Sequence, residues 1–145
     1  MITLTYKIEI QAGKEKIWET LWKKDNYAKW TKPFSEGLYF ETESFSEGSE
    51  IRFFAPNGDA MISKIVNLQP IEYVAFEHLS MLHNGEISSF NNEGETNQYF
   101  ESYRLIDNES SVTLIAKVNT LESEQKSMDK TFPKALQIVK ELAEQ

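Results

Sequence analysis

Residues 121–143 read LESEQKSMDKTFPKALQIVKELA, and how this stretch folds decides how the rest of the chain can be arranged. Met128, Phe132, Ala135, Leu136, Val139, Leu142 and Ala143 recur at spacings of three and four, which makes one apolar stripe along an amphipathic helix. Pro133 interrupts the pattern. A proline inside a helix removes a hydrogen bond and crowds the preceding turn, and it biases Phe132 away from helical angles. A kink near 129–132 is therefore expected, or a helix that restarts with Thr131 capping and Pro133 in the first turn.

Working outward, the rest of the chain is mostly of period two. Ile2, Leu4, Tyr6, Ile8 and Ile10 alternate with Thr3, Thr5, Lys7 and Glu9, the signature of a half-buried strand. Gly13 ends it. Lys14–Trp22 carries Ile17, Trp18, Leu21 and Trp22 at helical spacing, and a short helical turn follows over Asn26–Trp30, before Pro33. Strands are then expected at Leu38–Ser44, Glu50–Ala55, Ala60–Leu68, Tyr73–Leu79, Gln98–Leu105 and Ser111–Asn119. Pro56-Asn57-Gly58-Asp59 is a hairpin signal between two of them. Residues 80–97 read as one long irregular stretch rich in Ser, Asn and Gly, either a pocket lid or simply mobile. The pattern is thus seven strands, two short helices after the first, and one substantial helix at the end. The fold class is α+β. A long antiparallel sheet has one face to bury and a single helix to cover it, and a curved sheet gripping one helix leaves a hollow between them.

With 145 residues the chain is about one domain, residues 1–145. It has no cysteine, which excludes disulfides, thiolate catalysis and cysteine-based zinc sites and suits a reducing, cytoplasmic setting. Met1–Leu4 enters a strand pattern at once, without a basic region followed by an apolar stretch, so no signal peptide is expected. The longest apolar run, Tyr73-Val74-Ala75-Phe76, is far too short for membrane insertion. A formal net charge of −8 disfavours nucleic acid and anionic membranes as partners and favours solubility.

No residue pattern demands a cofactor or a metal. His83 falls in the irregular stretch and reads as solvated. His78 shares a strand face with Val74 and Phe76. It is either a polar group at the hollow or a strand-end histidine at its rim. Glu77, His78 and His83 lack zinc-ligand spacing. No Gly-x-Ser-x-Gly is present, and the serines at 88–89, 102 and 110–111 sit in loops and turns. Glu41/Glu43 and Glu93/Glu95 alternate as solvated faces. Tyr99, Glu101 and Tyr103 share one face of their strand, opposite Phe100, Ser102 and Arg104. Both faces carry aromatics, so either could point inward. Trp18 reads as core, whereas Trp22 and Trp30 suit either core or a pocket mouth beside Pro33 and Phe34.

Taken in order, these segments resemble the START-like, or SRPBCC, superfamily with its helix-grip fold. Ile8–Trp18 is similar to the family's opening of strand, small-residue turn and helix carrying Ile17-Trp18, although Gly13 stands where the family often has proline. Trp30, Gly48, Leu68-Gln69-Pro70, Tyr73–Phe76 and the closing Phe132…Leu136…Val139-Lys140…Leu142 extend the likeness over nearly the whole chain. The nearest branch looks like the homologues of the activator of heat-shock protein 90 ATPase. The resemblance implies a cavity between sheet and long helix that holds a lipid or another small apolar or amphipathic molecule. A chaperone or other protein partner, and a polyketide cyclase or hydrolase chemistry in the same cavity with His78 or Glu101 as base, are the alternatives. The expected wall comprises Trp30, Phe34, Phe53, Phe76, His78, Met81, Tyr99, Glu101, Leu114, Phe132, Leu136 and Val139, with no catalytic role assigned.

Overall fold

The computed structural model describes residues 1–90 and 99–145. Strand β1 (Ile2–Ile10) is followed by helices α1 (Lys14–Trp22) and α2 (Lys24–Trp30). Strands β2 (Tyr39–Glu41), β3 (Glu50–Phe54), β4 (Ala60–Gln69), β5 (Tyr73–His83), β6 (Glu86–Ser89), β7 (Tyr99–Asp107) and β8 (Val112–Thr120) come next. A single 3₁₀ turn then leads into helix α3 (Gln125–Ala143). All strands pair antiparallel in one sheet of order β1-β8-β7-β5-β4-β3-β2, with β6 on the far half of β5.

The alternation in β1 and β8 sets their register. Ile2 pairs with Thr120 and Ile10 with Val112, so Leu4 and Ile10 on one strand, and Val112, Leu114, Ala116 and Val118 on the other, bury one common face. Lys140 donates to the Glu9 carbonyl at 2.9 Å, tying the end of α3 to this sheet edge. The Pro56–Asp59 hairpin forms as expected. Gly58 takes φ +94°, and Asp59 N–H donates to the Asn57 side chain at 3.0 Å.

Three expectations are corrected. The sheet has eight strands, because the first half of the stretch read as irregular is a hairpin: β5 runs on to His83 and returns as β6. Its turn is Asn84-Gly85, with φ +51° and +80°, the mirror-image turn that Asn-Gly favours because both residues tolerate positive φ. The rest of that stretch, with Glu93, Glu95 and the expected strand start at Gln98, lies outside the described residues. The second strand shrinks to Tyr39–Glu41. The Thr42 hydroxyl sits against the carbonyls of Ser44 and Glu50, and the chain leaves the ladder there. Finally, α3 runs as one element through Pro133, and Thr131 does not cap it. The Thr131 hydroxyl instead donates to the Ser127 carbonyl one turn back, at 2.8 Å. Phe132, Ala135, Leu136, Val139 and Ala143 hold the helix down from its buried side, which offsets the proline's missing donor.

Two register shifts bend the β4–β5 pair. Ile62 faces Ser80 whereas Ser63 faces His78, so Leu79 is an extra residue in β5. Ile65 faces Phe76 whereas Asn67 faces Ala75, so Val66 is an extra residue in β4. Such bulges kink a strand and reverse which face later side chains take.

Candidate functional site

The sheet's inner face and the helices border a half-open cavity of about 400 Å³, within the range of small-molecule sites. Helix α2 and the turn after it supply Tyr27, Trp30, Thr31 and Phe34, at spacings of three and four that put them on one side. Strands β3, β4 and β5 supply Phe53, Met61 and Met81, which face one another in a row across three strands. The Leu79 bulge makes that row possible. Without it Met81 would point opposite to His78, and with it both turn inward. Met128 and Phe132 of α3 close the other side. Phe132 stacks on Tyr6 at 4.8 Å and meets Phe34 edge-on at 4.9 Å, so the wall is braced by ring contacts.

Of the expected wall residues, Trp30, Phe34, Phe53, Met81, Glu101 and Phe132 line this cavity. Phe76, Leu114, Leu136 and Val139 do not. They are fully buried core, Phe76 packing against Trp22, Phe45 and Phe53. Tyr99 packs on Phe90, ring centroids 5.2 Å apart, away from the cavity wall. Trp22 is likewise core, with Tyr27, Trp30, Phe45, Phe76 and Tyr103 all around its ring. The sequence reading missed Tyr27, Thr31, Leu38 and Met61, and also Phe54, Ala55, Asp59, Ala60 and Val118. The spacing 27, 30/31, 34 was the available signal for the first two.

One polar chain enters this apolar space. His78 is buried, 8% exposed, directly opposite Ser63 on β4 and diagonal to Glu101 on β7. Ser63 Oγ lies 2.7 Å from His78 Nδ1, and His78 Nε2 lies 3.1 Å from Glu101 Oε1. The Tyr103 hydroxyl donates to Glu101 Oε2. Burial pushes the Glu101 carboxyl up, but the His78 hydrogen bond and charge and the Tyr103 hydroxyl outweigh it and hold the carboxyl below its usual range. The Tyr103 hydroxyl is raised well above its ordinary value, by burial first and then by the Glu101 charge. Glu101 is therefore an ionised acceptor at neutral pH. An ionised Glu101 takes a proton from His78 Nε2, and the Ser63 hydroxyl pairs with the remaining ring nitrogen, Nδ1. His78 and Tyr103 both donate to Glu101, and of these four residues Glu101 and Tyr103 line the cavity. Ser63 is completely buried. A serine–histidine–carboxylate set is present, but its serine is sealed off from any substrate.

Two carboxylates lie on the cavity wall. Besides Glu101, Asp59 lies on the wall, held low by the His83 hydrogen bond at 2.6 Å and by the Asn84 N–H. His83 is otherwise exposed.

The same architecture recurs in solved structures. Protein MLL2253 from Mesorhizobium loti superposes with a TM-score of 0.72 at 10% identity, over 97% of this chain and 96% of that one. The chain has the helix-grip fold. The Aha1 dimer from Colwellia psychrerythraea matches at a TM-score of 0.68 and 20% identity, over 99% and 97% of the two chains. CalU16 from Micromonospora echinospora matches at 0.66 and 12%, over 97% of this chain and 75% of its own. At these identities the likeness is one of fold. No family model matches the sequence, and no curated protein does.

Proposed function

We propose that this chain is a binding module that holds a small hydrophobic or amphipathic molecule between the sheet and the C-terminal helix. The observation that carries this reading is the cavity itself. Elsewhere in the core Ile10, Ile17, Leu21, Ile51, Ile65 and Leu114 are completely buried. Here aromatic and methionine side chains stop short of one another around an open volume. A concave, mostly apolar hollow of this size with a few polar groups on its wall is the form a small-molecule site takes. The likeness to the Aha1 dimer supports a place beside the heat-shock protein 90 ATPase activator homologues, and with it a co-chaperone role as the alternative.

A second reading has its own observation: Glu101 meets the cavity with His78 behind it, as a base in a cyclase or hydrolase would. Its carboxyl is held low, however, whereas an efficient general base is poised near the working pH. That favours holding a ligand over abstracting its proton. The test is a titration with the apolar fluorophore N-phenyl-1-naphthylamine. Saturable one-to-one enhancement is expected, and Met81→Trp, which fills the cavity, should weaken it at least about ten-fold. Absence of saturation, or binding indifferent to Met81→Trp in a folded variant, would remove the reading.

A further inference from the structure

Neither carboxylate on the cavity wall faces a cation across it. Among the described residues, the charged ones on the wall are Asp59 and Glu101, and none is Lys, Arg or His. Asp59 is answered from outside the wall by His83 and the Asn84 N–H. Glu101 differs. Its two oxygens each accept one hydrogen bond from the protein side, from His78 and Tyr103, and its side chain, 24% exposed, lines the cavity. Each oxygen therefore keeps acceptor capacity beyond the one bond it accepts.

Three ligand types would meet that surface differently. A neutral hydrocarbon would cover the carboxylate and strip its water without replacing the lost hydrogen bonds. An anion such as a fatty acid would set two like charges together in a low-dielectric space. A protonated amine would restore the hydrogen bonds and the charge balance at once. The rings of Tyr27, Trp30, Phe34, Phe53 and Phe132 add negative ring faces suited to the same cation. The chain's net charge of −8 raises the local concentration of cations and lowers that of anions.

We infer that the cavity selects a cationic amphiphile: an apolar or aromatic body ending in a protonated amine that donates to Glu101. This rests on the binding reading above and goes further, because it names the ligand's charge and the residue that reads it.

Three ligands with one carbon skeleton separate the possibilities: 4-phenylbutylamine, 4-phenylbutan-1-ol and 4-phenylbutyrate, titrated calorimetrically at neutral pH. The amine should bind about ten-fold or more tightly than the alcohol, as a hydrogen bond to a charged group implies, and the carboxylate most weakly. In Glu101→Gln the amine's advantage should fall to within about two-fold while alcohol binding persists. Asp59→Asn should leave the advantage intact. If the wild type binds alcohol and amine equally, or prefers the carboxylate, the inference fails and the binding reading stands. A collapse of the preference in Asp59→Asn would also overturn it, by moving the anionic site away from Glu101. If none of the three binds and N-phenyl-1-naphthylamine does not either, the binding reading itself falls. The wild-type ranking decides the matter even should Glu101→Gln fail to fold.

Discussion

Glu101 carries more of this account than any other side chain. A carboxylate in an apolar space survives because His78 and Tyr103 both donate to it, and because Ser63 fixes the ring of His78 in turn. The consequence for stability has a definite sign. The folded-state pKa lies below the unfolded value, so the ionised network stabilises the fold above about pH 4.3 and is lost as pH falls through the folded pKa. Glu101→Gln keeps the shape but removes the charge and leaves one donor without its acceptor. It should cost about 1–3 kcal/mol at pH 7, and the gap to wild type should close on acidification. Urea unfolding of both proteins at pH 7 and near pH 3 measures this. A gap unchanged between the two would mean that Glu101 is not ionised in the folded chain.

Among the elements, α3 shows what could be read in the sequence and what could not. Its apolar stripe was legible from spacing alone, as were the alternation of β1 and the Asn-Gly turn after Pro56. Which part of the stripe meets a cavity was not. Met128 and Phe132 border open space while Leu136 and Val139 are core, and that division depends on where α1, α2 and β1 pack against the helix. The inward turn of Met81 was equally hidden, because one extra residue at Leu79 reverses the parity that sequence alternation assumes. The Asn84-Gly85 hairpin did leave a signal, masked by the polar residues around it. Pro133 is exposed midway along α3 and leaves the Asp129 carbonyl without its intrahelical donor. Pro133→Ala should therefore stabilise the protein by about 1–2 kcal/mol, the helix gain outweighing the looser unfolded chain. A thermal melt should show a rise of a few degrees. A fall would mean that the proline's shape is needed where α3 sits.

At the scale of the whole molecule, one curved sheet and one long helix divide the interior in two. One part is packed solid around Trp22, and the other is open, walled by rings and methionines and marked by a single polar chain. The central claim is that the open part receives a ligand. An amide-resolved NMR titration with 4-phenylbutylamine tests it most directly. The account predicts saturable shifts concentrated at Phe53, Met61, Met81, Glu101 and Val118, on the inner face of four neighbouring strands and β8. Shifts confined to exposed apolar residues such as Ile87 and Leu121, or no shifts at all, would contradict it.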